Sequence, residues 1–304
     1  MNLLTRVRAA VQRQRTLSVR IDRIQEALGR IESRLGHASR PCNPRDNEFR
    51  VYSQWGEDGI IDYLVSCIDI PDKAFVEFGV ENYTEANTLF LLKHRHWRGL
   101  IIDGSPDHIG SVKASDVYWR YALHADASFI TRDNINEIIL RNGFEGDIGL
   151  LSVDIDGNDY WVWEAITCVR PRIVVSEYNS LFGFAACIST PYAPDFYRTR
   201  AHPSNMYYGA SIAALDYLAR SRGYTLVAGN SAGNNVFFVR NDCLGGGLVA
   251  QSPAQAYVAA SFREAKSFEG GVDGLTFVDR QRMIEHLPVV DVTTGQQQRL
   301  RELL

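Results

Sequence analysis

The sequence has no apolar run long enough to span a bilayer, no hydrophobic leader near its first residues and no closely paired cysteines. The first two absences make a cytoplasmic chain the expectation. Its five cysteines, Cys42, Cys67, Cys168, Cys187 and Cys243, are scattered and odd in number. That pattern disfavours a secreted disulfide scaffold or a thiolate zinc site, and reduced thiols are expected. There is no excess of basic charge either: the formal net charge of -4 argues against broad nucleic-acid binding. What is present is a globular composition, 45% hydrophobic and 22% charged, over 304 residues, enough for one large core with extensions.

Residues 1–40 differ from the rest. Leu3, Val7, Ala10, Gln14, Leu17, Ile21, Ile24, Leu28, Ile31 and Leu35 alternate spacings of four and three, the heptad pattern of a helix with one narrow apolar seam. A helix over about residues 3–35 is expected, ended by Gly36 and followed by a linker with Pro41 and Pro44. Nine arginines oppose three acids in this region. The leading expectation is a homo-oligomer joined through this helix. A basic helix lying on an anionic membrane surface, or one packed on its own domain, are the alternatives.

From residue 50 to about 240 the chain repeats one unit: an apolar strand, a polar exit, then a helix. Lys73–Asn82, Leu100–Pro106, Tyr121–Ala127, Gly149–Asp154 and Arg172–Asn179 supply the strands and their exits. This order predicts a parallel α/β sheet with right-handed crossovers and all polar exits on one side, where open sheets bind ligands. Tyr224–Val227 and Asn235–Val239 are close enough for an antiparallel hairpin at the sheet edge. Gln54, Glu57 and Asp58 stand before a short helix, either closing over a ligand or capping that helix. The stretch 179–210, rich in Tyr, Pro and Asn, follows the Glu177 strand. It is expected to cap a substrate through Asn179, Tyr192, Asn205 and Tyr208, with ordinary loop packing as the alternative. Residues 241–304 are expected to form a peripheral extension.

Three strand exits carry the chemistry. Phe75-Val76-Glu77-Phe78-Gly79 ends in a glycine turn, Leu100-Ile101-Ile102-Asp103-Gly104-Ser105-Pro106 in an acid, and Ser152-Val153-Asp154-Ile155-Asp156-Gly157-Asn158-Asp159 in an acid cluster. In this order they resemble class I S-adenosylmethionine-dependent methyltransferases, specifically the FkbM-like group, over roughly residues 50–240. The resemblance implies a Rossmann-like seven-stranded sheet with a terminal hairpin. It also implies methyl transfer from S-adenosylmethionine to a hydroxyl of a sugar, glycan or specialised metabolite. It maps Glu77 and Gly79, with Glu81 and Asn82, onto the cofactor turn. Asp103 and Gly104 fall on the ribose-contacting exit, and Asp126 with Ala127 on the adenine side. The turn after Gly79 departs from the usual glycine-rich form by carrying Glu81, Asn82 and Tyr83.

Adjacent strand ends can bring Asp154, Asp156 and Glu177 together. Such an oxygen set suits Mg2+ or another divalent cation that anchors acceptor hydroxyls, with Asn158 and Asn179 orienting the acceptor. A metal-free site with Asp156 or His202 as base is the second reading, and helix capping by the acids the third. Metal-dependent hydrolysis and a non-catalytic scaffold built on the heptads are the competing functions. NAD-dependent redox chemistry ranks lower, because the chain has no Tyr-x-x-x-Lys pair and lacks the dinucleotide glycine pattern at its first strand exit.

Overall fold

The computed structural model describes residues 3–39, 43–260 and 275–303. A long helix, α1 (Leu3–Ser39), precedes α2 (Glu57–Cys67) and the first strand. The alternating core follows as β1 (Ala74–Phe78), α3 (Leu89–Arg95), β2 (Arg98–Asp103), α4 (Pro106–Lys113), α5 (Asp116–Arg120) and β3 (Leu123–Ala127). It continues through α6 (Ile135–Arg141), β4 (Gly146–Val153), α7 (Asp159–Ala165), β5 (Val169–Glu177), β6 (Ile188–Ser189), α8 (Arg198–Ala201) and α9 (Ile212–Ser221). The chain ends with β7 (Tyr224–Gly229), β8 (Asn235–Arg240), α10 (Pro253–Ala256), α11 (Phe277–Ile284), β9 (Pro288–Asp291) and β10 (Gln297–Arg299).

The main sheet has seven strands in the order β3-β2-β1-β4-β5-β8-β7, parallel except for β8, which runs against both of its neighbours. This is the Rossmann-like sheet with a terminal hairpin that the resemblance implies. Near-continuous apolar runs form its strands because both faces are covered, and period-two alternation divides them. Val76, Phe78, Leu151, Val153 and Phe238 enter one core, while Phe75, Ile101, Leu150, Val175 and Phe237 enter the other. The chain moves outward from β1 to β3 and, after returning, outward from β4 to β5. The exits of β1 and β4 therefore flank the switch point, the crevice in which such sheets bind ligands.

Several boundaries differ from the sequence expectation for local reasons. Gly36 does not end α1, which continues to Ser39. A Cβ on Gly36 would lie 2.3 Å from Asn47 Oδ1, so this glycine permits close passage over the short turn Pro44–Asn47. Pro41 and Cys42 lie outside the described residues; the other four cysteines are free thiols. Helix α3 starts only at Leu89, because Glu77 on β1 accepts the N–H groups of Asn87 and Thr88 and pins the preceding loop.

The C-terminal extension is built into the cap. β9 pairs with both β6 and β10, forming a second, three-stranded sheet. Ile284, Val289 and Leu300 share a third apolar cluster with Phe182, Ile188 and Met206. The expected cap segment is thus sandwiched between the main sheet and the tail.

The hairpin end is tied to α2 through one asparagine. Asn230 Oδ1 accepts the N–H groups of Gly233, Asn234 and Asn235, each at 3.1 Å, while its amide donates to Glu57 Oε1 at 2.7 Å. Asn230→Ala should therefore lower stability by about 2 kcal/mol or more, since it strips partners from buried groups. An unchanged urea midpoint would show that the turn holds itself.

Candidate active site

A cavity of about 700 Å³ opens at the switch point, within the size range of small-molecule sites. The exits of β1, β2, β4 and β5 line its floor, with Phe129 and Ile130 beyond β3 and residues 196–199 of the cap. Gly79 sets the floor. Its φ is +69°, and an added Cβ would stand 1.8 Å from the carbonyl oxygen of Asp154. No side chain fits there, so the exits of β1 and β4 meet backbone to backbone.

The first half of the cavity belongs to β1 and β2. Asp103, at the end of β2, accepts the N–H of Glu81 and that of Ser105, both at 2.8 Å, and His108 Nδ1 lies 3.3 Å from it. The carboxylate thereby braces the turn after Gly79, in which Glu81 and Tyr83 hold left-handed backbone at φ +48° and +58°. Glu77 and Glu81 both line the cavity, as does Gly104. Glu77 is buried and bonded to Asn87 and Thr88; burial pushes its carboxyl up to about 7, against the lowering effect of those hydrogen bonds. Its role in the cavity is to hold the wall.

The remaining residues expected on the cofactor side lie elsewhere. Asn82 is exposed and its side-chain oxygen accepts from Thr84. Asp126 does not reach the cavity: Arg141 on α6 pairs with it at 2.7 Å, and Ser128 and Asn142 also donate to it. Burial raises the Asp126 pKa, but those hydrogen bonds outweigh it and hold the carboxyl at about 2. Ala127 is exposed at the end of β3. Phe129 and Ile130, which sequence reasoning missed, supply the apolar wall that Asp126 and Ala127 were expected to mark.

The second half is acidic, lined by Asp154, Asp156 and Glu177, but the carboxylates that come together differ by one residue from the expected set. Asp154, Asp159 and Glu177 can each offer a carboxylate oxygen within 4.8 Å of the other two. Asp156 lines the cavity, but its side chain is 58% exposed and pairs with Arg198 at 2.6 Å, its backbone being left-handed at φ +57°. Asp159, the first residue of α7, takes its place from below, accepting the N–H groups of Ile155 and Gly157 at 2.8 Å each. Burial pushes Asp159 up to about 6 despite those bonds. Glu177 stands well above the ordinary carboxylate range, first because it is buried and then because Asp154 and Asp156 add like charge, with Arg198 opposing.

Among the described residues, three that line the cavity each carry a buried oxygen without a hydrogen-bond partner: Glu177 Oε2, Asn158 Oδ1 and Asn235 Oδ1. Such groups each cost about 1–3 kcal/mol when left unpaired, so the floor is built to receive donors or a cation. Asn158 is itself fixed by donating to the carbonyl of Ala193 at 2.8 Å.

The cap contributes different residues from those expected. Asn179 is buried and its amide group is fully engaged with Leu181, Met206 and Tyr208 of its own loop. Tyr192, Asn205 and Tyr208 do not line the cavity. Tyr192 lies beneath Arg132, while Tyr208 lies beneath Arg198, whose guanidinium also bonds the carbonyl of Asn205. His202 faces Ser204 at 2.7 Å and is also outside the cavity; burial and neighbouring His286 lower its pKa. Instead Phe196, Tyr197, Arg198 and Thr199 form the roof, and Tyr197 meets Phe129 with ring centres 5.1 Å apart. Gln54 reaches the cavity, whereas Glu57 binds Asn230 and Asn235, and Asp58 caps the preceding loop at Val51, Tyr52 and Ser53.

With this geometry established, the chain can be set beside known proteins. No protein-family model matches it, and no curated protein matches it. Distant likenesses to solved structures exist. M. capricolum TrmK in complex with S-adenosyl-homocysteine is 8% identical with a TM-score of 0.34. That match covers 55% of this chain and 62% of the other, so the chain spans less than two thirds of that protein's length. An O-methyltransferase from Bacillus cereus, in complex with the same compound, is 12% identical over 58% of this chain and 76% of that one, with a TM-score of 0.37. The N-terminal domain of EvdMO1 with S-adenosyl-homocysteine bound is 10% identical over 69% and 95%, with a TM-score of 0.39. At this distance the likenesses carry nothing about what this chain binds.

The raised Glu177 carboxyl gives a signed pH effect. Its stabilising share is full below the unfolded pKa near 4.5 and is lost as pH rises through the raised folded value. In metal-free buffer the native protein should therefore lose stability as pH rises above the unfolded carboxyl value, and Glu177→Gln should flatten part of that fall. Equal pH slopes for both proteins in urea unfolding would contradict the assignment.

Proposed function

We propose that the chain is an S-adenosylmethionine-dependent O-methyltransferase of the FkbM-like group. On this reading its acceptor is a hydroxyl on a polyhydroxylated sugar, glycan or specialised metabolite. One observation carries the reading: Asp103 and the pair Asp154 and Glu177 open into the same cavity. A donor site and an acceptor site placed on neighbouring strand exits are what a direct group transfer needs, because alignment of the two reactants removes much of the entropic barrier.

On this reading Asp103, braced by two backbone N–H groups, receives the ribose hydroxyls of the methyl donor. Phe129 and Ile130 give its base an apolar wall. Asn158 Oδ1, Asn235 Oδ1 and Glu177 Oε2 accept hydrogen bonds from acceptor hydroxyls. Glu177, at the exit of β5 on the cavity floor, receives the proton released from the hydroxyl that becomes methylated. Phe196 and Tyr197 exclude water above the transfer path. Asp156 and His202 do not serve as base here: Arg198 pairs with the first, and the second lies outside the cavity.

Asp154, Asp159 and Glu177 also fit a hard divalent cation such as Mg2+, since all three are oxygen donors and Glu177 Oε2 has no protein partner. When bound, such an ion supplies Lewis-acid polarisation of the acceptor oxygen. Asp154 and Glu177 would hold it from the open side. Asp159, with both oxygens already accepting backbone N–H groups, would hold it from below.

Titration calorimetry with S-adenosylhomocysteine is the first test. The native protein should bind it, Asp103→Ala should weaken binding about tenfold or more through loss of charge-assisted hydrogen bonds, and Asp126→Ala should leave it nearly unchanged. No binding by folded native protein would overturn the assignment. With a panel of hydroxylated sugars, chelation or Asp154→Asn should abolish methylated product while S-adenosylhomocysteine still binds. Full turnover after exhaustive chelation would remove the cation from the mechanism.

A further inference from the structure

The helix α1 presents its heptad seam to solvent. Leu17, Ile21, Ile24, Leu28, Ile31 and Leu35 are each more than half exposed. The domain is packed on the other side of the same helix. Gln25 donates to the carbonyl of Val51 at 2.6 Å, Glu26 pairs with Lys93 at 2.6 Å, and His37 lies 3.1 Å from Asp62. Gly29 is buried against Val51 and Phe90, and Ser33 is buried with it. In heptad letters, with Ile21, Leu28 and Leu35 at a and Leu17, Ile24 and Ile31 at d, these anchors fall at e, f, b and c. The domain thus holds the back of the helix and leaves the a/d stripe uncovered. Before Gln25 every described side chain from Gln12 onward is exposed, so that stretch of α1 stands clear of the domain.

We propose that α1 is a dimerisation element that forms a parallel, in-register two-stranded coiled coil with a second copy of this chain. Spacing, length and charge together select that occupant. The stripe repeats every 3.5 residues for five heptads, more than the three or four that sustain a coiled coil, and its two-position width matches a second helix. A helix standing off its domain also needs packing to persist, because isolated helices are marginal in water. Charge then sets the direction. Among the described side chains the g positions hold Arg13, Arg20, Ala27 and Arg34, whereas the e positions Gln25, Glu32 and Ser39 carry no positive charge. Parallel chains place g against e of the partner, and antiparallel chains would place the arginine column against itself. Gln14 at a then faces its own copy, a polar layer that fixes register. Because the domains sit on the backs of the two helices, they flank the coiled coil without obstructing the seam.

The test uses the full chain. Sedimentation equilibrium at micromolar concentration should give twice the 34.2 kDa chain mass. Ile24→Asp with Ile31→Asp should halve it while leaving the circular dichroism and the melting of the catalytic domain in place, since both side chains are exposed. Leu17→Cys should form a disulfide-linked dimer on mild oxidation that the native chain, with its own cysteines, does not form; this reports the parallel, in-register arrangement. A monomeric native chain would overturn the proposal, and so would a native monomer that co-sediments with phosphatidylserine vesicles, which would assign the seam to a membrane surface. A dimer that survives the double aspartate variant would place the interface elsewhere. A dimer that does not cross-link at residue 17 would overturn the parallel register.

Discussion

The contact between the exits of β1 and β4 governs the rest of the site. Gly79 lies so close to the Asp154 carbonyl that a single methyl group would be driven into it. That approach closes the sheet at the switch point and puts the turn after β1 beside the acids after β4. It also accounts for the left-handed backbone at Glu81 and Tyr83, held by Asp103 and by the bond from Tyr83 to Thr88. A turn of this shape needs no glycine-rich sequence because its neighbours hold it from both sides. The departure from the glycine-rich form is structural substitution by side-chain bracing.

Burial without pairing is the second organising constraint. Glu77, Asp58, Asp159 and Glu177 are all buried carboxyls with raised pKa values, but their surroundings differ. The first three accept hydrogen bonds from loop N–H groups and serve to fix those loops. Glu177 keeps one oxygen unpartnered and faces the cavity beside two asparagine oxygens in the same condition. A protein that leaves three acceptors unmatched at one point holds a place for a ligand rich in donors or positive charge. Arg198 limits the effect by neutralising Asp156 at the rim, so the acidic field is concentrated on the floor.

Much of the sheet was legible in the sequence because its strands are short apolar runs with polar exits, and a sheet covered on both faces leaves that trace. The exits at Gly79, Asp103, Asp154 and Glu177 could be read for the same reason. Partnership across distance could not. Asp126 looks like a ligand acid until Arg141, on the next helix, reaches back to it. Asn179 looks available until the loop at Met206 and Tyr208 folds over it. In the run Asp154-Ile155-Asp156-Gly157-Asn158-Asp159, Asp156 lines the cavity but is drawn to Arg198 from the cap, while Asp159 comes within reach of Asp154 and Glu177. The position of Asp159 at the start of α7, ahead of an apolar helix, was a signal that could have raised it above Asp156. The roof from Phe196 to Thr199 left no comparable trace, since an aromatic loop reads alike whether it covers a cavity or packs on itself.

On the proposed function, one cleft aligns a methyl donor on the β1 and β2 side with an acceptor over Asp154 and Glu177. The most direct measurement of that alignment is a crystal structure with S-adenosylhomocysteine bound. The ribose should lie over Asp103, the base against Phe129 and Ile130, and the sulfur should be directed at the space above Glu177. A nucleoside bound elsewhere, or one whose sulfur points away from the acids, would contradict it.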